Sequence, residues 1–167
     1  MTDRSRSTAA SRWGAVAACL ALLTTGCTQA QQGRTLGIGP SDVDRIEVYL
    51  YTFSENPRTV TRSVVEDRRE IAELVNAFTD MPVTPLRLSF EEVRGAKASG
   101  LRFHLRDGGA VEVTQVFRGP GDTVVVWPDS PAVQTEWGSG IGDHGTPGDP
   151  SANSPVNPEE RPVVVLR

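Results

Sequence analysis

Residues 100–114 constrain the fold more than any other part of the chain, because apolar and polar side chains alternate on both sides of one Asp-Gly pair. Leu101, Phe103 and Leu105 alternate with Arg102, His104 and Arg106; the chain passes through Asp107-Gly108-Gly109; Val111 and Val113 then alternate with Glu112 and Thr114. A period of two sends successive side chains to opposite faces of a strand, and Asp-Gly tolerates the positive φ angles of a tight turn. The segment therefore predicts a β-hairpin with one apolar face.

An apolar face needs a cover and neighbours. Ile46, Val48 and Leu50 alternate with Arg45, Glu47, Tyr49 and Tyr51, which reads as another strand, and Ser54-Glu55-Asn56-Pro57 supplies a turn after it. Thr59 to Val65 returns as a partner strand, with Val60, Arg62 and Val64 on one face and Arg62 interrupting its apolar pattern. Asp67 followed three places later by Glu70 resembles a capping box, and Ile71, Leu74, Val75 and Phe78 fall on one face of a helix that Pro82 and Pro85 end. Ser89-Phe90-Glu91-Glu92 can open one more helical turn before Gly95. Gly119-Pro120-Gly121-Asp122 makes a second turn ahead of Thr123 to Trp127. The expected class is α+β: an antiparallel sheet of about five strands in the order β-β-α-β-β-β, with one helix packed on one face. About 95 residues, 42–137, can bury one modest core.

What precedes that domain reads as an export signal. Arg4, Arg6 and Arg12 stand against Asp3, and Trp13 to Leu23 form an apolar stretch. At about 11 residues it would reach only ~16 Å as a helix, short of the ~30 Å hydrocarbon core. Thr25-Gly26-Cys27 looks like the end of a bacterial lipobox, with cleavage between Gly26 and Cys27 and a diacylglyceryl group on the Cys27 sulfur, the one soft nucleophile there. Thr24 stands where most lipoboxes have Leu. Thr28-Gln29-Ala30 offers an alternative: a cut after Ala30 would release a soluble secreted protein. The expected organisation is a signal peptide at 1–26, lipidated Cys27 with a flexible tether over 27–41, the α+β domain at 42–137 and a Gly/Pro-rich disordered tail at 138–167. Within the tail, Val163 to Leu166 reads equally as an edge strand or an extended end.

Charge and cysteine content narrow the chemistry. The whole chain carries a formal charge of −4. Without residues 1–26 it falls to about −6, which disfavours nucleic acid and an electrostatic hold on anionic lipids. Membrane contact is therefore expected through the acyl chains on Cys27. Cys19 would leave with the signal peptide, so an acylated Cys27 leaves no thiol for a disulfide, a zinc site or a nucleophile. Lys97 is the lone lysine, a usage typical of GC-rich genomes such as those of actinobacteria.

The only histidines are His104 and His144, and Glu91-Glu92 and Glu159-Glu160 read as solvated pairs. No metalloprotease, nucleophile-elbow, Walker or dinucleotide-binding pattern occurs. No catalytic residue, metal or cofactor is expected. If the helix covers one sheet face, the other presents Tyr49 and Tyr51 with Arg102, His104 and Arg106, residue types favoured at recognition surfaces. The plainer reading is a wet face stabilised by cross-strand pairs. Trp127 and Trp137 are read as plugs at the edge of the core.

The lipobox and tether, the strand pair, the helix Arg69-Glu70-Ile71-Ala72-Glu73-Leu74-Val75-Asn76 and the hairpin Leu101-Arg102-Phe103-His104-Leu105-Arg106-Asp107-Gly108 together resemble the small YhfM-like lipoproteins of Gram-positive bacteria. The resemblance covers about 90 residues and is one of pattern. It implies membrane attachment and a compact α+β domain, and carries over no catalytic residue. The expectation is a lipid-anchored, monomeric, non-enzymatic binding or accessory module on the extracytoplasmic side of the cell membrane, its ligand open. The alternatives are a soluble secreted interaction or inhibitor-like domain and a small cell-envelope hydrolase.

Overall fold

A computed structural model of the chain describes residues 32–85, 89–127, 133–135 and 153–164. Among them nine strands form one antiparallel sheet: β1 (Gln32–Arg34), β2 (Val43–Thr52), β3 (Val60–Val65), β4 (Met81–Pro85), β5 (Lys97–Leu105), β6 (Ala110–Gly119), β7 (Asp122–Val126), β8 (Val133–Thr135) and β9 (Ser154–Val156). Two helices, α1 (Arg68–Asn76) and α2 (Phe90–Val93), complete a sheet-rich α+β fold. The order across the sheet is β1-β4-β8-β7-β6-β5-β2-β3-β9. The strands expected from alternation are β2, β3, β5, β6 and β7. The other four correct the expected count and order: β1 lies in the stretch read as tether, and β9 in the stretch read as a disordered tail.

Local chemistry accounts for the turns. In the β5–β6 hairpin the Leu105 carbonyl accepts from Gly108 N at 3.0 Å, and Leu105 N donates to Gly109 O at 2.8 Å. Only the glycine is left-handed there, with Gly108 at φ 91°, while the Asp107 carboxylate accepts from Gly109 N at 2.8 Å. This is a type I turn closed by a left-handed glycine, not a turn with two positive φ values. Between β6 and β7, Pro120 presets one turn position and Gly121, at φ 68°, takes the other.

The Asp67 carboxylate caps α1, accepting from Arg69 N at 2.9 Å and Glu70 N at 3.0 Å. The helix stops at Asn76, short of its predicted face. Phe78 reaches the core from the turn that follows, edge-on to Phe103 and Trp127 at centroid distances of 6.1 and 5.9 Å. Pro82 and Pro85 do not merely stop the helix. They belong to β4, which places Met81 and Val83 in the core, because the φ a proline fixes is compatible with extended backbone.

α1 carries the chain from β3, near one end of the sheet, to β4, near the other; α2 lies on the way back to β5. Alternation along β2 separates two apolar clusters. Ile46 and Val48, with Leu50, join Leu101, Phe103, Val113 and Val125 under Ile71, Leu74 and Val75 of α1. Tyr49 and Tyr51 turn the other way, into a second cluster with Val60, Ala98, Val116, Val124 and Val126. That cluster is covered by Phe90 and Val93 from α2 and by Val156 and Val164 from the C-terminal segment. The chain thus has a second core where the sequence predicted one core and an open face. Trp127 is buried as expected, whereas Trp137 lies outside the described residues. The end run Val163–Leu166 is no strand over 163–164, its last two residues lying outside the described set; the strand forms earlier, at β9. No helix among the described residues is long and apolar enough to cross a membrane.

Phe78→Ala should cost about 3–5 kcal/mol in a denaturant titration, since it empties the ring site between Phe103 and Trp127. Phe90→Ala, at a half-buried position, should cost less. Equal losses would show that Phe78 is not the keystone of the first core.

Candidate functional site

Pairing register brings the charges of the second face into rows. Glu47 of β2 lies opposite Arg102 of β5, and Arg102 lies opposite Glu112 of β6. One row along, Arg62 of β3 faces Tyr49, and Tyr49 faces Gly100. The row after that is apolar, with Val60, Tyr51, Ala98 and Val116 side by side. The face is therefore polar at one end and oily at the other.

Glu47 is the hub of the polar end, its side chain only 11% exposed. Its Oε2 accepts from Tyr49 OH at 2.8 Å and lies 3.4 Å from Arg102 Nη1. His104 Nε2 sits 3.0 Å from the same oxygen, off the line of a straight hydrogen bond. Arg62 Nη1 is 3.6 Å from Oε1. Arg102 spreads its donors: Nη1 donates to Tyr49 OH at 2.9 Å, Nε to Glu112 Oε1 at 2.6 Å and Nη2 to the Glu160 carbonyl at 3.0 Å. Arg62 Nη1 also donates to Glu160 Oε2 at 3.2 Å. Three carboxylates are thus matched against two guanidinium groups and an imidazole.

The protonation states follow. Burial pushes the Glu47 carboxyl up, but the His104 and Tyr49 contacts and the charges of His104 and Arg62 outweigh it and hold it below its ordinary 4.5. Tyr49 is raised above its ordinary value by burial and by the Glu47 carboxylate beside it; Tyr51 is raised by burial. Burial acts to lower Arg102, and the Glu112 bond together with the charges of Tyr49, Glu112 and Glu47 more than offsets it, so it stands above its ordinary value. At neutral pH Glu47 is charged and Tyr49 is protonated, and Glu47, Glu112, Glu160, Arg62 and Arg102 each face an opposite charge. The Glu47 shift runs opposite to that of a carboxylic acid kept neutral for proton donation.

Of the five residues predicted for this face, Tyr49, Arg102 and His104 converge on Glu47. Both tyrosines are buried, contrary to the expected open recognition surface. Tyr51 joins the apolar end, with the Arg161 guanidinium 5.6 Å from its ring centroid. Arg106 is exposed in the β5–β6 turn and stands apart from the cluster. The residues missed are Arg62, Glu112, Glu160 and Arg161, along with the central part played by Glu47. Arg62 was marked in the sequence by its break in an apolar pattern, and its place opposite Tyr49 explains the break. Gly26, Cys27 and His144 lie outside the described residues. Among the described residues no group of three or more His, Cys, Asp or Glu side chains is placed to hold a metal ion. No family model, curated protein or solved structure matches the chain.

Because the folded Glu47 pKa is depressed, its contribution to stability is present above its ordinary 4.5 and is lost as pH falls through the lower folded value. Glu47→Gln should therefore lower stability by roughly 1.5–3 kcal/mol at pH 7, with the gap from wild type narrowing below about pH 4.5. Urea titrations at pH 7 and pH 3 check this, and an unchanged gap would show that the negative charge is not what the cluster needs.

Proposed function

We propose that the chain is a non-enzymatic binding or accessory module held on the extracytoplasmic side of the cell membrane by a diacylglyceryl group on Cys27. The observation that carries the anchor is Thr25-Gly26-Cys27 at the end of a short apolar run behind an Arg-rich start. A diacylglyceryl group supplies two chains, enough for stable attachment. The fold bears on the tether. β1 begins at Gln32, so five peptide steps separate the anchor from the sheet, a reach of at most ~18 Å. That is a shorter lead than the 27–41 tether expected from the sequence. Cleavage after Ala30 would instead leave Gln31 alone ahead of β1, a terminal strand prone to fraying.

Binding is favoured over hydrolysis by the protonation states on the second face. A hydrolase of the two-carboxylate kind needs one carboxyl raised to act as an acid. Glu47 is displaced in the opposite direction.

Wild-type protein taken from its native host should enter the detergent phase on phase partitioning, and Cys27→Ser should stay in the aqueous phase. If both remain aqueous and the mature chain starts at Gln31, the anchor is wrong and the soluble secreted reading takes its place.

A further inference from the structure

The C-terminal segment is bound to the sheet as a peptide ligand would be. β9 adds three residues to the outer edge of β3, pairing Val60 with Val156, Thr61 with Pro155 and Arg62 with Ser154. A short 3-10 turn (Pro158–Glu160), capped by Asn157, then leads the chain onto the second face. There it lies extended, and alternate residues meet the sheet. Glu160 takes Arg62 Nη1 on its carboxylate at 3.2 Å and Arg102 Nη2 on its carbonyl at 3.0 Å. Pro162 is buried over Gly100, where a Cβ would stand 2.8 Å from the proline Cδ and 3.0 Å from its Cγ. Val164 packs against the second apolar cluster. Between them Val163 points outward, 80% exposed, and Arg161 lies over the Tyr51 ring while donating to Glu55 O at 3.0 Å.

Three of these contacts match a side-chain type to a site of its own: an acid to Arg62, a proline ring to the gap above a glycine, an aliphatic to an oily floor; Arg102 holds the backbone between them. Edge pairing supplies sequence-independent affinity, and pockets for alternate residues supply selectivity, as in other modes of extended-peptide recognition. The segment is joined to β8 by residues 136–152, seventeen residues that include five glycines and two prolines. Six strand spacings of ~4.8 Å separate β8 from β9 in the sheet order, against ~55 Å of available chain.

We propose that this groove is a recognition site for an extended Glu-x-Pro-x-Val segment of another envelope protein, and that residues 160–164 of this chain keep it closed until such a segment displaces them. The charge match at Arg62 and the fit of a proline over Gly100 define the ligand, with Arg102 holding a backbone carbonyl of it. The proposal gives the binding module its ligand class and rests on that reading. Its test does not involve the anchor, so either idea can fail alone.

The experiment uses the full mature chain with a protease site replacing residues 143–146, and a labelled synthetic peptide of residues 153–167. Before cutting, the tethered segment competes at an effective concentration of about millimolar, so the peptide should bind only at that level. After cutting, the severed segment should exchange and the peptide should bind at least about a hundredfold more tightly. Peptides carrying Glu160→Arg or Pro162→Asp should not bind. Gly100→Ala in the protein, which fills the gap without touching a charge, should leave a folded chain that no longer takes the peptide. Unfolding on cutting, or a severed segment that never exchanges, would make the segment an integral part of the fold and overturn the proposal. So would equal binding by wild type and Gly100→Ala. Dimers of the intact chain that depend on residues 160–164 would overturn the foreign ligand in favour of a second copy.

Discussion

A carboxylate placed in the middle of a covered sheet face must collect donors or lose its charge, and Glu47 collects them from three strands at once. Tyr49 reaches it from two residues along the same strand, Arg102 and His104 from β5, and Arg62 from β3. The pairing of β2 with both neighbours is thereby fixed by side chains as well as by the backbone ladder. A one-residue slip in either pair would send those donors to the α1 side and leave the charge unmatched. The same arginines extend to Glu160, so the cover over the second face is tied to the groups that set the register.

This dependence explains why the molecule can afford two apolar faces. α1 shields one by the usual amphipathic route, with Ile71, Leu74 and Val75 turned inward. α2 is a single turn and contributes only Phe90 and Val93 to the other, to which Val156 and Val164 of the C-terminal segment are added. The two ends of the sheet are treated alike: β1 and β9 are three-residue strands that cap the longer β4 and β3. Short terminal strands limit the unpaired edge available for aggregation.

Features encoded within a few residues were readable from the sequence. The β5–β6 hairpin, the Asp67 cap and the helical stripe through Val75 need only nearest-neighbour chemistry, and each is present. β4 was hidden because its two prolines signal a stop more loudly than Met81 and Val83 signal alternation. β9 and the segment after it were hidden for a different reason. Their composition is that of a disordered tail, and what orders them is a distant surface: the edge of β3, the gap over Gly100 and the arginines of the second face. The polar cluster shows the same limit. Tyr49, Arg102 and His104 could be placed on one face by counting, but their convergence on Glu47 follows from which strands become neighbours, a fact settled by pairs far apart in the chain.

The direction of the protonation shifts fixes the charge state of the two groups at the centre of the cluster. A residue that must give and take a proton near neutrality works best with a pKa drawn toward that range, which is how acid and base catalysts are tuned. Glu47 is driven down and Tyr49 up, both away from it. Each is thus locked in one state at neutral pH, and the hydrogen bond between them is the more durable for it. Fixed charges in fixed positions make poor proton carriers and good recognition elements, because a ligand with the complementary pattern meets donors that do not have to rearrange. The chain's own Glu160 meets those donors with its carboxylate on Arg62 and its carbonyl on Arg102, so the C-terminal segment is held by groups that the sheet has already fixed.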